Sequence, residues 1–188
     1  MKKYDVIIIG AGPAGIFAAM TLKEKHPEQQ VAIFEKGNPI AKRICPKRKT
    51  GVCAGCKPCN ITTGFAGAGA FSDGKLSLSP DVGGDLDKII GYDETKALIE
   101  DVDAFYLRFG ADTQVYGLDQ QEKIRKIRRR AIENDLKLVT CPIRHLGTEV
   151  GFGIYEQIER YLVDELKVAI HYRTPVKDLV IEQKKITG

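Results

Sequence analysis

The apolar positions fall into distinct regimes along the chain. Residues 4–9, Tyr-Asp-Val-Ile-Ile-Ile, form a continuous β-branched run, the pattern of a parallel strand covered on both faces. A glycine turn follows. Residues 13–25 then set Ile16, Phe17, Met20 and Leu22 at helical intervals behind Pro13, a residue tolerated in a first turn. Residues 31–34 read as a second buried strand that closes at Glu35. Periodicity is then lost over 36–85, where Gly, Cys, Pro and Ser dominate, and a loop of that length in a compact fold is usually functional or disordered.

Helical spacing returns at 94–109, with Leu98, Val102, Phe105 and Phe109 on one face and Gly110 as a stop. Residues 119–133 predict a basic helix with Ile124, Ile127 and Ala131 on one face, and Leu136 to Thr140 is a candidate strand. Residues 152–165 predict a third long helix with Ile154, Ile158, Tyr161 and Leu162 inward. Strands are expected at 168–172 and 176–182, and Lys184-Lys185 suggests a hairpin turn. Strand–helix–strand alternation predicts an α/β, Rossmann-like fold with a parallel sheet and helices. Three regions are expected: a dinucleotide-binding βαβ unit with Cys- and Gly-rich loops at 1–85, a helical substrate-side region at 86–150, and a return to the first domain at 151–188.

Composition narrows this picture without redirecting it. The 188 residues are 43% hydrophobic with a net charge of +4, enough to bury a core and too mild an excess to imply nucleic acid. The cations of Lys123 to Arg130 interleave with Ile124 and Ile127, which reads as a solvated helix face rather than an RNA-binding surface. No secretory signal is visible, and no run approaches the ~20 apolar residues of a membrane span, so a cytoplasmic protein without membrane or nucleic-acid partners is expected. In that compartment clustered cysteines are more often metal ligands or redox centres than structural disulfides.

The glycine turn is Gly10-Ala-Gly12-Pro13-Ala14-Gly15, with strand before, helix after, and an acid 20 residues beyond Gly15 at the end of the next strand. Gly10 permits the turn, Gly12 lets backbone approach a pyrophosphate, and Gly15 lets helix and sheet pack closely. The helix N-terminus offers N–H groups and a positive dipole end to phosphates. Glu35 can accept from ribose hydroxyls and disfavours a 2′-phosphate, an effect that Lys36 softens. These residues alone do not separate FAD from NAD.

Glu35-Lys36-Gly37 continues to Arg43 with an E-x-G-x(5)-R spacing, and Thr174-Pro-Val176 follows the late strand. In these features the chain resembles the two-dinucleotide-fold flavoproteins. The stretch Gly64-Phe-Ala-Gly67-Ala-Gly69-Ala-Phe-Ser72-Asp-Gly-Lys75-Leu, with the cysteine-rich segment before it and Arg144-His145-Leu-Gly147-Thr148 after it, resembles a bacterial and archaeal group of NAD(FAD)-utilizing, FAD-dependent dehydrogenases. The resemblance implies a flavin-dependent oxidoreductase, or the N-terminal part of one, passing hydride through FAD, with NAD as a possible electron partner and a small-molecule substrate. It implies that Gly67 and Gly69 lie along the ribityl chain and pyrophosphate, that Ser72 and Lys75 reach toward the isoalloxazine, and that the backbone of Val176 faces adenine. It names no catalytic residue. Members of that group continue beyond position 188 into return strands and a second glycine motif, which makes this a truncated frame, a fragment, or one piece completed by a C-terminal half or by a second copy. The alternatives are a non-catalytic dinucleotide-binding fragment and an NAD-binding domain.

Cys45, Cys53, Cys56 and Cys59 fall within 15 positions, and Cys53–Cys59 is two overlapping C-x-x-C units. Three readings stay open: an iron–sulfur cluster or zinc site, a redox dithiol, and unliganded loop thiols. Cys141, before Pro142, reads as a lone thiol. His145 is a candidate for protonating a substrate or holding a phosphate, against a structural histidine.

Overall fold

The computed structural model describes residues 3–188, apart from the side chains of Thr148 and Glu149. In chain order the elements are β1 (Val6–Ile9), α1 (Pro13–Lys25), β2 (Val31–Phe34), α2 (Lys47–Thr50), β3 (Lys75–Ser77), α3 (Leu86–Ile90), α4 (Tyr92–Arg108), β4 (Val115–Tyr116), α5 (Gln121–Ile132), β5 (Ile143–His145), α6 (Thr148–Arg160), β6 (Ala169–His171), β7 (Ile181–Glu182) and β8 (Lys185–Ile186). Short 3-10 turns occupy Ile40–Lys42 and Gly67–Phe71, and α6 runs into one wider turn at Tyr161–Glu165.

The chain divides into two compact units, residues 1–72 with 155–188, and residues 73–154. The division falls after Ser72 rather than near residue 85 because β3 pairs with β5, well inside the second unit.

In the first unit β2 is the central strand of a parallel sheet ordered β1-β2-β6. Its register sets Ile9 beside Phe34 and Phe34 beside His171. Val31, Ala32 and Ile33 are fully buried, as expected of a central parallel strand. Helix α1 packs on both β1 and β2 through Ile16, Ala19 and Met20. Its last turn carries Lys23, which is buried and bonds the carbonyls of Pro27 and Gln29, favourable for the negative end of the helix dipole. Sheet pairing runs past β6: Glu35 N–H donates to His171, Thr174 N–H to Glu35 and Arg173 N–H to Gly37, each at 2.9 Å.

In the second unit β3 and β4 flank β5 in an antiparallel sheet, and α3 packs on α4. Buried Arg144 of β5 forms a fork on Asp103 of α4, at 2.5 and 2.7 Å, and donates to the Asp112 carbonyl. The Asp103 bond holds the guanidinium above its ordinary arginine pKa.

Two expected strands change. Leu136–Thr140 is not a strand; Leu136 is 66% exposed and the pairing positions on β5 are taken by β3 and β4. The strand expected at 176–182 shrinks to Ile181–Glu182, which pairs only with Lys185–Ile186 across a two-residue turn.

Candidate functional site

The turn after β1 is built as its glycine spacing requires. Gly10 adopts φ +97° and donates to the Phe34 carbonyl at 2.9 Å. That left-handed backbone lets the chain turn from β1 into α1 within three residues. A Cβ at Gly15 would lie 2.1 Å from the Gly10 carbonyl oxygen, so helix and turn touch there. A Cβ at Gly12 would meet nothing within 4 Å. Gly12 is also the N-cap of α1, no side chain caps the helix, and Pro13 and Ala14 open its first turn. Open space therefore lies in front of a helix start whose first N–H groups have no intrahelical partner.

Glu35 closes the cradle from β2. Its Oε2 accepts from Ala11 N–H at 2.8 Å and its Oε1 from Gly37 N–H at 2.7 Å. The side chain is 5% exposed, and each oxygen keeps a further lone-pair direction for a hydroxyl donor. The acid thus fixes the glycine turn and retains the capacity to bind a ribose.

The glycine-rich loop is fastened to the same turn. Ala66 N–H donates to Ala11 at 2.7 Å, Phe65 N–H to Asn38 at 3.0 Å, and a Cβ on Gly67 would stand 3.6 Å from the Gly12 Cα. Gly37 and Gly64 touch backbone to backbone: a Cβ on Gly37 would lie 2.5 Å from Gly64 N. Gly69 faces the Tyr155 hydroxyl, and Ser72 Oγ donates to the Gly69 carbonyl at 3.0 Å.

Arg43, expected among the cofactor contacts, is turned inward and is 2% exposed. Its guanidinium donates to the carbonyls of Asn60 (2.9 Å), Ile61 (2.7 Å), Phe65 (2.5 Å) and Gly67 (2.7 Å). Its cationic plane also covers the Phe71 ring at 4.7 Å. Burial pushes its pKa below the ordinary arginine value, against the opposing charges of Glu35 and Cys59. Arg43 shapes the loop that borders the cradle by collecting carbonyls that an irregular backbone cannot pair.

Lys36 is exposed and lines a neighbouring cavity. Val176 is partly exposed and outside any strand, two residues beyond the hydrogen-bonded Thr174. Lys75 belongs to the second unit, where its ammonium pairs with Asp73 at 3.0 Å and its backbone faces His145. The Lys75 bond holds the Asp73 carboxyl below its usual range. His145 is exposed, and the side chain of Thr148 lies outside the described residues.

The cysteines do not assemble into a ligand set. All five are free, Cys53 and Cys59 are exposed, and no three His, Cys, Asp or Glu side chains converge as a metal site among the described residues. The segment from Gly51 to Asn60 contains neither helix nor strand. Cys59 stands apart chemically. N–H groups of Ile61 and Thr62, and the Thr62 hydroxyl, push its thiol pKa down.

The sequence reading missed Glu159. It accepts from Ile40 N–H at 3.3 Å and from the Tyr172 hydroxyl, tying α6 to the turn after β2 and to the end of β6. Burial pushes Glu159 above the usual carboxylate range and Tyr172 above its ordinary phenol value. No motif marks this pair; only the i−4 and i+3 positions, Tyr155 and Leu162, both buried, hint that Glu159 borders the core.

Comparison with known proteins then bears on this geometry. The family described as the FAD binding domain matches residues 5–43, the segment that carries the cradle, Glu35 and Arg43. The fold is the FAD-binding, Rossmann-like one. Glycine oxidase from Bacillus cereus superimposes with a TM-score of 0.50 at 18% identity, over 99% of this chain and 50% of that one. The 3-ketosteroid-Δ4-(5α)-dehydrogenase from Rhodococcus jostii, solved with 4-androstene-3,17-dione, gives 0.50 at 14% identity over 96% and 40%. An uncharacterized protein of Clostridium beijerinckii is 39% identical over 72 residues, 38% of this chain and 13% of that protein. The chain thus spans half or less of the length of these proteins. Among the described residues, no helix is long and apolar enough to cross a membrane.

Proposed function

We propose that this chain holds the ADP half of FAD and forms the cofactor-binding part of a flavin-dependent oxidoreductase acting on a small molecule. The observation that carries this reading is the pairing of open space at Gly12 with a buried Glu35 whose two oxygens are locked on Ala11 and Gly37. The match of the FAD binding domain to residues 5–43 supports FAD over NAD at this cradle.

FAD, when bound, supplies hydride acceptance and return at its flavin ring. The chain's own residues bind and orient. The start of α1 directs N–H groups and a positive dipole end at the pyrophosphate. Glu35 accepts from the ribose hydroxyls. The Gly64–Gly69 segment, clamped by Arg43, walls the turn and keeps its backbone close to Gly12. Ser72 and Val176 enter the reading as further contacts, and a complementing portion of the protein, NAD as electron partner and the substrate belong to the same reading. Among the described residues no three His, Cys, Asp or Glu side chains are grouped to hold a metal, and the reading assigns no role to one.

The test is direct. Purified protein is titrated with FAD and with ADP by calorimetry, and flavin absorbance near ~450 nm is followed through gel filtration. Retention of flavin, or ADP binding that Glu35→Gln weakens, supports the proposal. Absence of binding to FAD, ADP and NAD alike refutes it.

A further inference from the structure

Immediately past Glu35 the first unit contains a cavity of about 420 Å3 that the cradle does not use. Three cations line it: Lys36 after β2, Lys57 within the second C-x-x-C unit, and Arg173 after β6. No carboxylate lines it, and none of the three cations is ion-paired among the described residues. Its wall is fixed by a chain of amides: Asn38 donates to Asn60 at 2.9 Å, and Asn60 donates to the Ile44 carbonyl at 2.8 Å. Cys56 completes the lining.

Arg173 supplies a second, independent observation. It is a non-glycine residue at φ +57°, in the left-handed region. Two main-chain bonds hold it there, Arg173 N–H to Gly37 and Thr174 N–H to Glu35, both 2.9 Å. From that backbone Arg173 lines the cavity together with Lys36 and Lys57. Like charges gathered without a counterion repel one another, and an anion relieves that repulsion.

We infer that this cavity binds a phosphate dianion. The shared chemistry is one dianionic phosphate group meeting three cations, with Arg173 able to grip two of its oxygens. Such a group arrives either free, or as the 2′-phosphate of an adenosine ribose. The second source would set its ribose on Glu35, to which the lining residue Gly37 donates, and the three cations would have to outweigh the charge by which Glu35 opposes a 2′-phosphate. A free phosphate leaves the cradle unused, whereas the ribose source would occupy Glu35 and compete with FAD.

Cys56 provides the readout. Iodoacetamide labelling of the full chain is followed by peptide mass spectrometry, in phosphate and in chloride at equal ionic strength. Phosphate is expected to slow labelling of Cys56 at least about threefold while leaving exposed Cys53 unchanged. In Lys57→Gln with Arg173→Gly that protection is expected to vanish. Glycine suits φ +57°, so this variant keeps the fold, as circular dichroism will verify. Removing each cation is expected to weaken phosphate about threefold to fivefold. Adenosine 2′,5′-bisphosphate protecting Cys56 at least tenfold better than inorganic phosphate assigns the ribose source; equal protection assigns the free one. Gly12→Ala, which blocks the cradle, is expected to leave phosphate protection intact, so failure of the two sites is told apart. Protection that is absent at millimolar phosphate, equal at Cys53 and Cys56, or unchanged in the double variant overturns the inference.

Discussion

Substituting alanine at Gly12 and at Gly15 separates the two reasons this turn is made of glycine. At Gly15 the new Cβ would sit 2.1 Å from the Gly10 carbonyl oxygen and 3.2 Å from Ile8 Cγ2, whereas real Cβ contacts essentially never fall below 3.0 Å. The neighbour is backbone, held by Gly10 N–H on Phe34 and by the bonds that tie Ala11 to Glu35 and Ala66. It cannot swing aside as a flexible side chain does. Overpacking against a fixed neighbour costs about 3 kcal/mol or more, and about 1 kcal/mol returns because alanine is the better helix residue. Gly15→Ala is therefore expected to lose about 2–3 kcal/mol, a fall in Tm of several degrees. Gly12→Ala meets no atom within 4 Å and keeps an allowed φ of −75°. Its stability cost is the weaker N-cap preference of alanine, about 0.5–1 kcal/mol. Its effect on binding is large, because the methyl group fills the space in front of the helix start; ADP or FAD affinity is expected to fall about a hundredfold, or roughly 2.7 kcal/mol. Urea unfolding followed by circular dichroism and calorimetric titration with ADP measure the two quantities on the same samples. If Gly12→Ala destabilises as much as Gly15→Ala, or binds ADP as tightly as the parent, the assignment of these glycines is wrong.

Arg43→Met removes four donors from four carbonyls around a buried side chain, and is expected to cost about 3–5 kcal/mol in urea unfolding, with Arg43→Lys recovering only part of it. Glu159 has its folded-state pKa raised by burial, so its contribution favours the fold at low pH and is lost as pH rises through the folded value. Glu159→Gln is accordingly expected to flatten the decline in Tm between about pH 4 and pH 7, and an unchanged pH profile would refute the role of its burial. Cys59, exposed and lowered by the N–H groups of Ile61 and Thr62, is expected to react with iodoacetamide at lower pH than Cys53, and Thr62→Val to narrow that difference. Equal labelling profiles for Cys53 and Cys59 would count against it.

The elements most legible in the sequence are those whose signals are local. The β1 run, Pro13 at the start of α1, and the compact Val31–Phe34 strand each declare themselves within a few residues, and the structure places them within two residues of the reading. The face of α6 and the turn that follows it was equally readable, since Ile154, Ile158, Tyr161 and Leu162 are all buried. What the sequence left unread depended on partners far along the chain. Leu136–Thr140 alternates like a strand, but β5 is already paired on both sides. Arg43 sits in a motif that reads as a ligand contact, yet its neighbours in space are carbonyls 17 to 24 positions away. The cysteine spacing is local, and the direction in which each thiol points is not. The glycine turn and its bonded acid were legible because that backbone needs glycine at fixed intervals and an acceptor at the end of the next strand. The cation-lined cavity was not, because it draws on three separate loops.

The glycine-rich stretch has the composition of a hinge and the bonding of a girder. Amides of Phe65, Ala66 and Gly67 are each donated to a carbonyl, two of them on distant segments, while four carbonyls around them converge on one guanidinium. Hydrogen exchange at these three amides should accordingly be slow, comparable with β2, in a region that contains no strand. Glycine here serves proximity rather than motion. Length changes between Lys47 and Pro58 should therefore be absorbed at the surface, whereas one residue inserted between Asn60 and Gly69 would shift the wall of the cradle out of register with its floor.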